Sequence, residues 1–504
     1  MPLTRRDFLT RGLAASACAA TWLRGSTTAA PADLARSRPP GEAPNILYIL
    51  VEDIGPQLAC YGEPLVRTPH MDALAAQGVR FAQAFATAPV CSASRSSLMT
   101  GAHQIFTGSH QHRTWAWRKR PLPPPVAHVC DWFRAAGYFT CNLKPAQVEA
   151  KGIRGMINGA KGAGKLDLNF TVTTPKAGDP FDGRDWTQRA PGQPFFAHIT
   201  IMETHKMAGW KIARQQPAGE LVDPARVRLP PYYPDHPVAR DEYANYLDAI
   251  HLADGYVGEV LARLEAEGLA RNTIVVLSSD HGALFRGKQF LYDGGLRIPL
   301  IVRFPDGRGA GSADDSLVSG VDLVPTLLGL AGFRIPAAAT HGRDLFGAKS
   351  LAPECILAAR DRMDESIDRM RAVRTARHKY IRNYLPAVPY MQANYYKERN
   401  YPTWNLVKEL KCTGGLSPEA ALFAAETKPI EELYDLAVDP HEVCNLAGDP
   451  AHAALLRELR GKLDKLLLGY DRAPEYEDPV DVFRGRWGRL PEEPDAGADR
   501  RGEG

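Results

Sequence analysis

Two apolar runs of strand length, each ending in a pair of ionisable residues, constrain this chain more than any other feature. NILYILV (45–51) runs into Glu52 and Asp53, and TIVVLSS (273–279) runs into Asp280 and His281. A strand that is apolar at nearly every position is buried on both faces, the situation in a parallel sheet covered by helices. GYFTCNL (137–143) and PFFAHITIM (194–202) repeat the pattern. Helical signals lie between them. In TPHMDALAAQGV, Thr68 stands as N-cap, Pro69 in the first helical position and Gly78 at the end. DEYANYLDAIHLADGYVGEVLARLEAEG (241–268) reads as a long amphipathic helix closed by Gly268. The alternation predicts an α/β fold: a mostly parallel central sheet flanked by helices. Ligands of such sheets gather beyond the carboxyl ends of the strands, where the polar residues collect.

The 504 residues give ample material for one large domain and a smaller one. Lys+Arg number 61 against Asp+Glu 58, a balance that argues against nucleic acid or a membrane surface as the main partner. Residues 1–30 read as a leader. Arg5 and Arg6 precede an apolar run from Gly12 to Leu23, and small residues sit at Ala29 and Ala30. This resembles a bacterial twin-arginine export signal, handled by the twin-arginine translocase, and predicts a periplasmic or otherwise extracytoplasmic protein. The run is far below the roughly 20 residues a stable membrane span needs. Cys18 lacks the upstream apolar residue of a lipidation site. The other seven cysteines show no CxxC pair or zinc spacing, and the sequence assigns no disulfide partners. Residues 44–350 form the expected catalytic domain. Residues 351–475 form a smaller C-terminal α+β subdomain with strands at HKYIRNY (378–384) and EELYDL (431–436) and a final helix over 451–470. Residues 476–504 read as a disordered tail. The Gly- and Lys-rich stretch 145–193 breaks the periodicity and reads as a functional or poorly ordered loop.

The chemistry centres on PVCSASRSSLMTG (89–101). A cysteine at a helix N-terminus has a lowered pKa, and Arg95 lies one turn on from Cys91. The free N–H groups and the guanidinium form an anion trap; the competing reading is a buried structural cysteine. Carboxylates at the ends of neighbouring parallel strands converge on one edge. Asp53, Glu52 and Asp280 with His281 therefore make a plausible oxygen-rich site for a divalent cation, Ca²⁺ ahead of Mg²⁺.

On these residues the chain resembles the type I sulfatases of the alkaline-phosphatase-like superfamily. Cys91-Ser92-Ala93-Ser94-Arg95 matches the Cys-x-Pro/Ala-x-Arg signature. NILYILVEDIG matches the first metal motif, and SSDHGALFRGKQFLYDGGLRIPLIVRFP (278–305) matches the second. VSGVDLVPTLLGLAG (318–332) and EELYDLAVDPHEVCNLAGDP (431–450) match later segments in family order. The resemblance implies that a maturation enzyme oxidises Cys91 to Cα-formylglycine, whose hydrate attacks sulfur. The second hydroxyl then expels sulfate. It implies Glu52, Asp53, Asp280, His281 and position 91 as metal ligands, Arg95 as a diol-orienting charge, and Lys144, His205 and Lys288 as sulfate-binding or proton-donating groups. The sequence departs from the pattern in three places. Ala93 stands where proline is commoner, Glu52 stands where aspartate is usual, and the histidine expected two positions after Lys144 is missing. His110 or His112, in GSHQHR, are candidate replacements, although a surface position is the default for either.

Two further stretches carry expectations. GAKGAGKL (159–166) nearly matches a phosphate-binding loop, but Leu166 replaces the metal-binding hydroxyl and the following LDLNFTVT reads as a strand, so a basic loop at the substrate entrance is the better reading. The arginine-rich 359–382 reads as a solvated face or as a rim for a polyanionic glycan, with Arg360 and Arg362 as the residues to test. The predicted activity is hydrolysis of sulfate esters, on a sulfated small molecule or, more specifically, a sugar or glycan. Alternatives within the superfamily are a phosphonate or phosphate ester hydrolase and an N-sulfoglucosamine sulfamidase. An alternative of another class is a non-catalytic sulfated-glycan-binding relative.

Overall fold

The computed structural model describes residues 34–36, 43–143, 164–172, 175, 178–206, 209–215, 217, 219–348 and 350–472. The leader, Lys144 and the tail beyond residue 472 lie outside them. The strands, numbered in chain order, are β1 (Ala35–Arg36), β2 (Asn45–Val51), β3 (Gly78–Phe85), β4 (Phe139–Asn142), β5 (Phe195–Ile201), β6 (Thr273–Ser279), β7 (Arg297–Arg303), β8 (Ser312–Ser319), β9 (Phe333–Arg334), β10 (Cys355–Arg360), β11 (Met370–Thr375), β12 (His378–Asn383) and β13 (Glu431–Asp435). Among the described residues β4-β5-β2-β6-β7-β3-β8 form a seven-stranded sheet, β10-β11-β12-β13 an antiparallel four-stranded sheet, and β1-β9 a small ribbon.

In the large sheet only β7 runs against its neighbours, so the sheet is mostly parallel, as the apolar runs require. β2 lies at the centre of its parallel block, between β5 and β6. Its alternate side chains enter opposite cores: Leu47, Ile49 and Val51 pack on one face, and Ile46, Tyr48 and Leu50 on the other. The long helix Pro237–Ala266 covers the first face with Ala239, Tyr243, Leu247 and Ile250. The helix Leu323–Leu330 covers the second with Leu323, Val324, Leu327 and Leu328. Because β5, β2 and β6 are parallel neighbours, residues 202–205, 52–53 and 280–281 emerge side by side at one sheet edge. The antiparallel sheet carries the last helix, Ala453–Tyr470, whose Leu459 and Leu463 meet Leu357, Val373 and Leu433.

Three local expectations fail for physical reasons. Thr68 does not cap its helix. Its hydroxyl accepts from Ala59 N and donates to Asp72, while Asp254 of the long helix takes the N–H groups of His70 and Met71 at 3.1 and 2.8 Å. Gly78 does not end that helix, Pro69–Ala76, but opens β3, where an added Cβ would lie 2.3 Å from Val302 O. Residues 166–172 form no strand. Their backbone is taken up by neighbours instead, with Asn169 N donating to Ser96 Oγ at 2.9 Å and Thr171 N to Arg120 O at 2.9 Å. The described cysteines are all unpaired, and no helix among the described residues is long and apolar enough to cross a membrane.

Candidate active site

β3 leads through Val90, in extended conformation, into the helix Cys91–Leu98, all of whose residues are buried. Gly101, at φ 69°, closes this turn and donates to Ser97 O at 2.9 Å. The helix points Cys91 at the strand edge, with its Sγ 3.3 Å from His281 Nε2 and 3.7 Å from Asp53 Oδ1. Asp53 itself sits at φ 53°, a left-handed conformation unusual for a residue with a side chain and a recurrent feature of functional sites. Its N–H donates to Asp280 Oδ1 at 3.0 Å, which locks the two strand ends together.

The expectation of an activated thiol fails. Burial pushes the Cys91 thiol well above its ordinary value, and Asp53 and Asp280 add to that against the pull of Lys288. The unmodified side chain is therefore a neutral, weak nucleophile. Arg95 reaches the site from one turn on. It donates to Asp280 Oδ2 at 2.9 Å through Nε and to Thr200 Oγ1 at 3.1 Å through Nη1, and it lies 3.6 Å from Glu52 Oε2. Its fork thus holds the acidic strand ends. Asp280 is kept well below the usual carboxylate range: burial opposes its charge, but Arg95, His281 and Lys165 outweigh burial.

The donor set fits a cation. Asp53, Asp280, His281 and Cys91 are buried, with ligand atoms all within 4.8 Å of one another, and Glu52, Cys91 and His205 form a second such group. His281 Nδ1 lies 2.8 Å from Gly282 O, which assigns the proton to Nδ1 and leaves the Nε2 lone pair 3.1 Å from Asp53 Oδ1. Burial holds this imidazole below its usual range, so two acceptors face each other. A hard divalent ion removes that conflict and offsets three buried carboxylates.

Cationic side chains close the other side. Lys288 Nζ donates to Asp53 Oδ2 at 2.5 Å, and the Asp53 carboxylate holds its ammonium charged despite burial. His205 Nε2 lies 3.9 Å from Asp53 Oδ2 and 4.0 Å from Glu52 Oε1. Burial, then Lys288, Lys165 and Arg113, keep its ring neutral. His112 and His110 are buried, contrary to their surface assignment. His112 lies with Cys91 and Asp167 in a third close group, its Nδ1 3.1 Å from Asp364 Oδ1. Arg360 and Arg362 form no rim. Arg360 is buried on Asp368, and Arg362 is buried with bonds to Gln111 Oε1 at 3.0 Å and His112 O at 2.8 Å. Arg362 fastens the 110–113 loop from behind, while Arg360, at the end of β10, turns inward onto Asp368.

Sequence reasoning missed Lys165, Asp167, Arg113 and Tyr396. Lys165 bonds the Glu52 carboxylate, and its carbonyl accepts from Arg95 Nη1 at 3.2 Å and Thr200 Oγ1 at 3.0 Å. Arg113 lies 3.1 Å from Asp167, which Arg113 and Lys165 hold well below the usual carboxylate range against the effect of burial. The signal for Lys165 lay inside the near-miss phosphate loop. For Arg113 it was the residue beside His112. Nothing in the pattern marked Tyr396.

Residues 44–333 match the family model "Sulfatase". The chain belongs to the sulfatase family. Residues 280–390 also match the model "N-sulphoglucosamine sulphohydrolase, C-terminal". An ulvan-active sulfatase of Formosa agariphila is 33% identical over 468 residues, covering 84% of this chain and 75% of the relative. The N-sulphoglucosamine sulphohydrolase of Homo sapiens is 27% identical, covering 86% of this chain and 90% of the relative. A solved structure of a protein in complex with its substrate D-glucosamine-2-N,6-O-disulfate superposes with a TM-score of 0.58 at 19% identity, covering 86% of this chain and 100% of that one. The protein is a sulfuric ester hydrolase on an alkaline-phosphatase-like fold.

Proposed function

We propose that this sulfatase releases sulfate from a sulfated carbohydrate. The observation that carries the reading is the convergence of Cys91, Asp53, Asp280, His281 and Lys288 at one parallel sheet edge. Formylglycine formed from Cys91 by a maturation enzyme supplies the nucleophile when present. A bound divalent ion, which we take as Ca²⁺ for its preference for oxygen-rich sites, supplies positive charge to the sulfate. Asp53, Asp280 and His281 hold that ion, with Glu52 at the margin. Arg95 fixes the orientation of Asp280 and balances Glu52. Lys288 places a permanent positive charge beside the reacting group, where negative charge moves onto sulfate oxygens. His205, neutral and within reach of the same pocket, donates or accepts a hydrogen bond on the leaving-group side. Lys165 and Arg113 extend the cationic lining, and His112, grouped with Cys91 and Asp167, is the candidate to take the role of the missing histidine. Lys144 joins the set on the resemblance alone.

The carbohydrate substrate is supported by relatives that act on ulvan and on N-sulphoglucosamine. Residues 1–30 fit twin-arginine export and hence an extracytoplasmic, periplasmic location. The division at about residue 350 follows the change from the large sheet to the antiparallel one. The deciding experiment uses protein matured in its own host. A mass spectrum of FAQAFATAPVCSASR shows formylglycine at position 91, and ion chromatography detects sulfate freed from an O-sulfated oligosaccharide. An intact thiol in every copy, or faster turnover of aryl phosphonates than of sulfates, overturns the reading.

A further inference from the structure

Between β12 and β13 the chain leaves the antiparallel sheet for residues 384–430 and returns. This excursion carries the helices Tyr395–Asn400, Pro402–Thr413 and Pro418–Phe423. It docks on the large domain through Thr403 N, which donates to Glu242 Oε2 of the long helix at 2.8 Å. Asn394 Nδ2 pins its start to Ser366 Oγ at 3.0 Å. So anchored, the first helix places the Tyr396 ring 5.3 Å from Lys288 Nζ and 6.2 Å, centroid to centroid, from His205.

Tyr396 is buried, and its hydroxyl has no hydrogen-bond partner among the described residues. A buried polar group is normally paired, so an orphan beside a functional site calls for a ligand. The charged groups that act on this hydroxyl are Lys288, Asp53 and Arg113, which line the sulfate pocket. Burial pushes the phenol up to about 12, so it carries its proton near neutrality and acts as a donor. Position 396 lies past residue 390, where the family-model match ends, and within the span that relatives and solved structures still cover.

We infer that Tyr396 is a substrate-binding residue: its hydroxyl donates a hydrogen bond to an oxygen of the sulfate group lodged between Cys91 and Lys288, and the 384–430 excursion is the wall that fits this chain to its substrate. The inference rests on the sulfatase reading for the identity of the anion. The sulfate group is the ligand chemistry that matches a neutral donor set among cations.

The test compares the full-length matured protein with Tyr396→Phe. Inorganic sulfate is titrated and binding is read as a thermal shift, alongside kcat/KM on 4-methylumbelliferyl sulfate. The inference expects the Kd for sulfate to rise about tenfold or more, with a comparable fall in kcat/KM. The thermal midpoint without sulfate should stay level or rise, because the lost hydroxyl had no partner. Affinity within twofold of wild type overturns the inference. So does a lowered midpoint, which marks a packing role, and so does a wild-type protein that sulfate does not shift. A wild-type protein that binds sulfate yet releases none from any ester defeats the sulfatase reading alone, since Tyr396 is still judged on the binding curves.

Discussion

The strand-edge centre and the excursion wall meet at one pocket but differ in how far their polar groups are paired. At the edge, Asp53, Asp280, His281 and Arg95 hold one another through short contacts, and each position is fixed by a strand end or by the signature helix. On the excursion, Tyr396, Lys397, Tyr401 and Trp404 are buried, yet the hydroxyls, the ammonium and the indole N–H have no hydrogen-bond partner among the described residues. A preorganised charge network serves chemistry that is the same for every sulfate ester. On the inference drawn for Tyr396, the unpaired donor on the inserted helix serves recognition, where the partner arrives from outside. The contrast separates reactivity from selectivity in space.

Cys91→Ala gives the harshest test of that division. Removing the group that carries the nucleophile should lower sulfate release by at least about 10⁴-fold, measured by ion chromatography, with sulfate binding retained. If appreciable turnover survived, chemistry would not reside at the edge. Asp280→Asn comes next. Metal content, read by inductively coupled plasma mass spectrometry, should fall well below one ion per chain, while the wild type retains its ion. Arg95→Met probes the same network through stability. It leaves the Asp280 carboxylate buried without its guanidinium, and removing one member of a buried ion pair costs about 3–5 kcal/mol by denaturant titration. A loss no larger than that of a surface substitution would mean the edge is not held by charge.

The same contrast explains what could be read from the sequence. β2 and β6 were legible to the residue, because burial on both faces leaves a continuous apolar run and the acids mark where it ends. Asp53, Asp280, His281 and Cys91 follow from chain connectivity once the strands are parallel neighbours. Arg360 and Arg362 were misplaced because a run of arginines looks solvated until β10 pairs with β11 and the turn after it buries Arg362 against Gln111 and His112. The thiol was misjudged because helix position is local while burial and two distant carboxylates are not. Lys165 and Tyr396 reach the site through long-range packing, which leaves no periodic trace.

Lys397 gives the gentlest test, on the excursion side. Its ammonium lies 4.1 Å from the Tyr401 ring centroid and 5.6 Å from that of Trp404. Burial, then Lys288, lower its pKa well below the ordinary value, while Glu242 and Asp53 pull the other way and Lys206 adds to the lowering. A lysine whose folded pKa is depressed weakens the fold wherever the unfolded chain is protonated, below about pH 10.4. That penalty fades as pH rises toward the unfolded value. Lys397→Met keeps the length and removes the charge, so it should leave stability unchanged or raise it by about 1–3 kcal/mol at pH 7. The gap between variant and wild type should narrow by pH 10, as read from thermal midpoints at both values. A variant that is less stable at pH 7 would mean the ammonium is structurally paired, and the excursion would then obey the same rule as the strand edge.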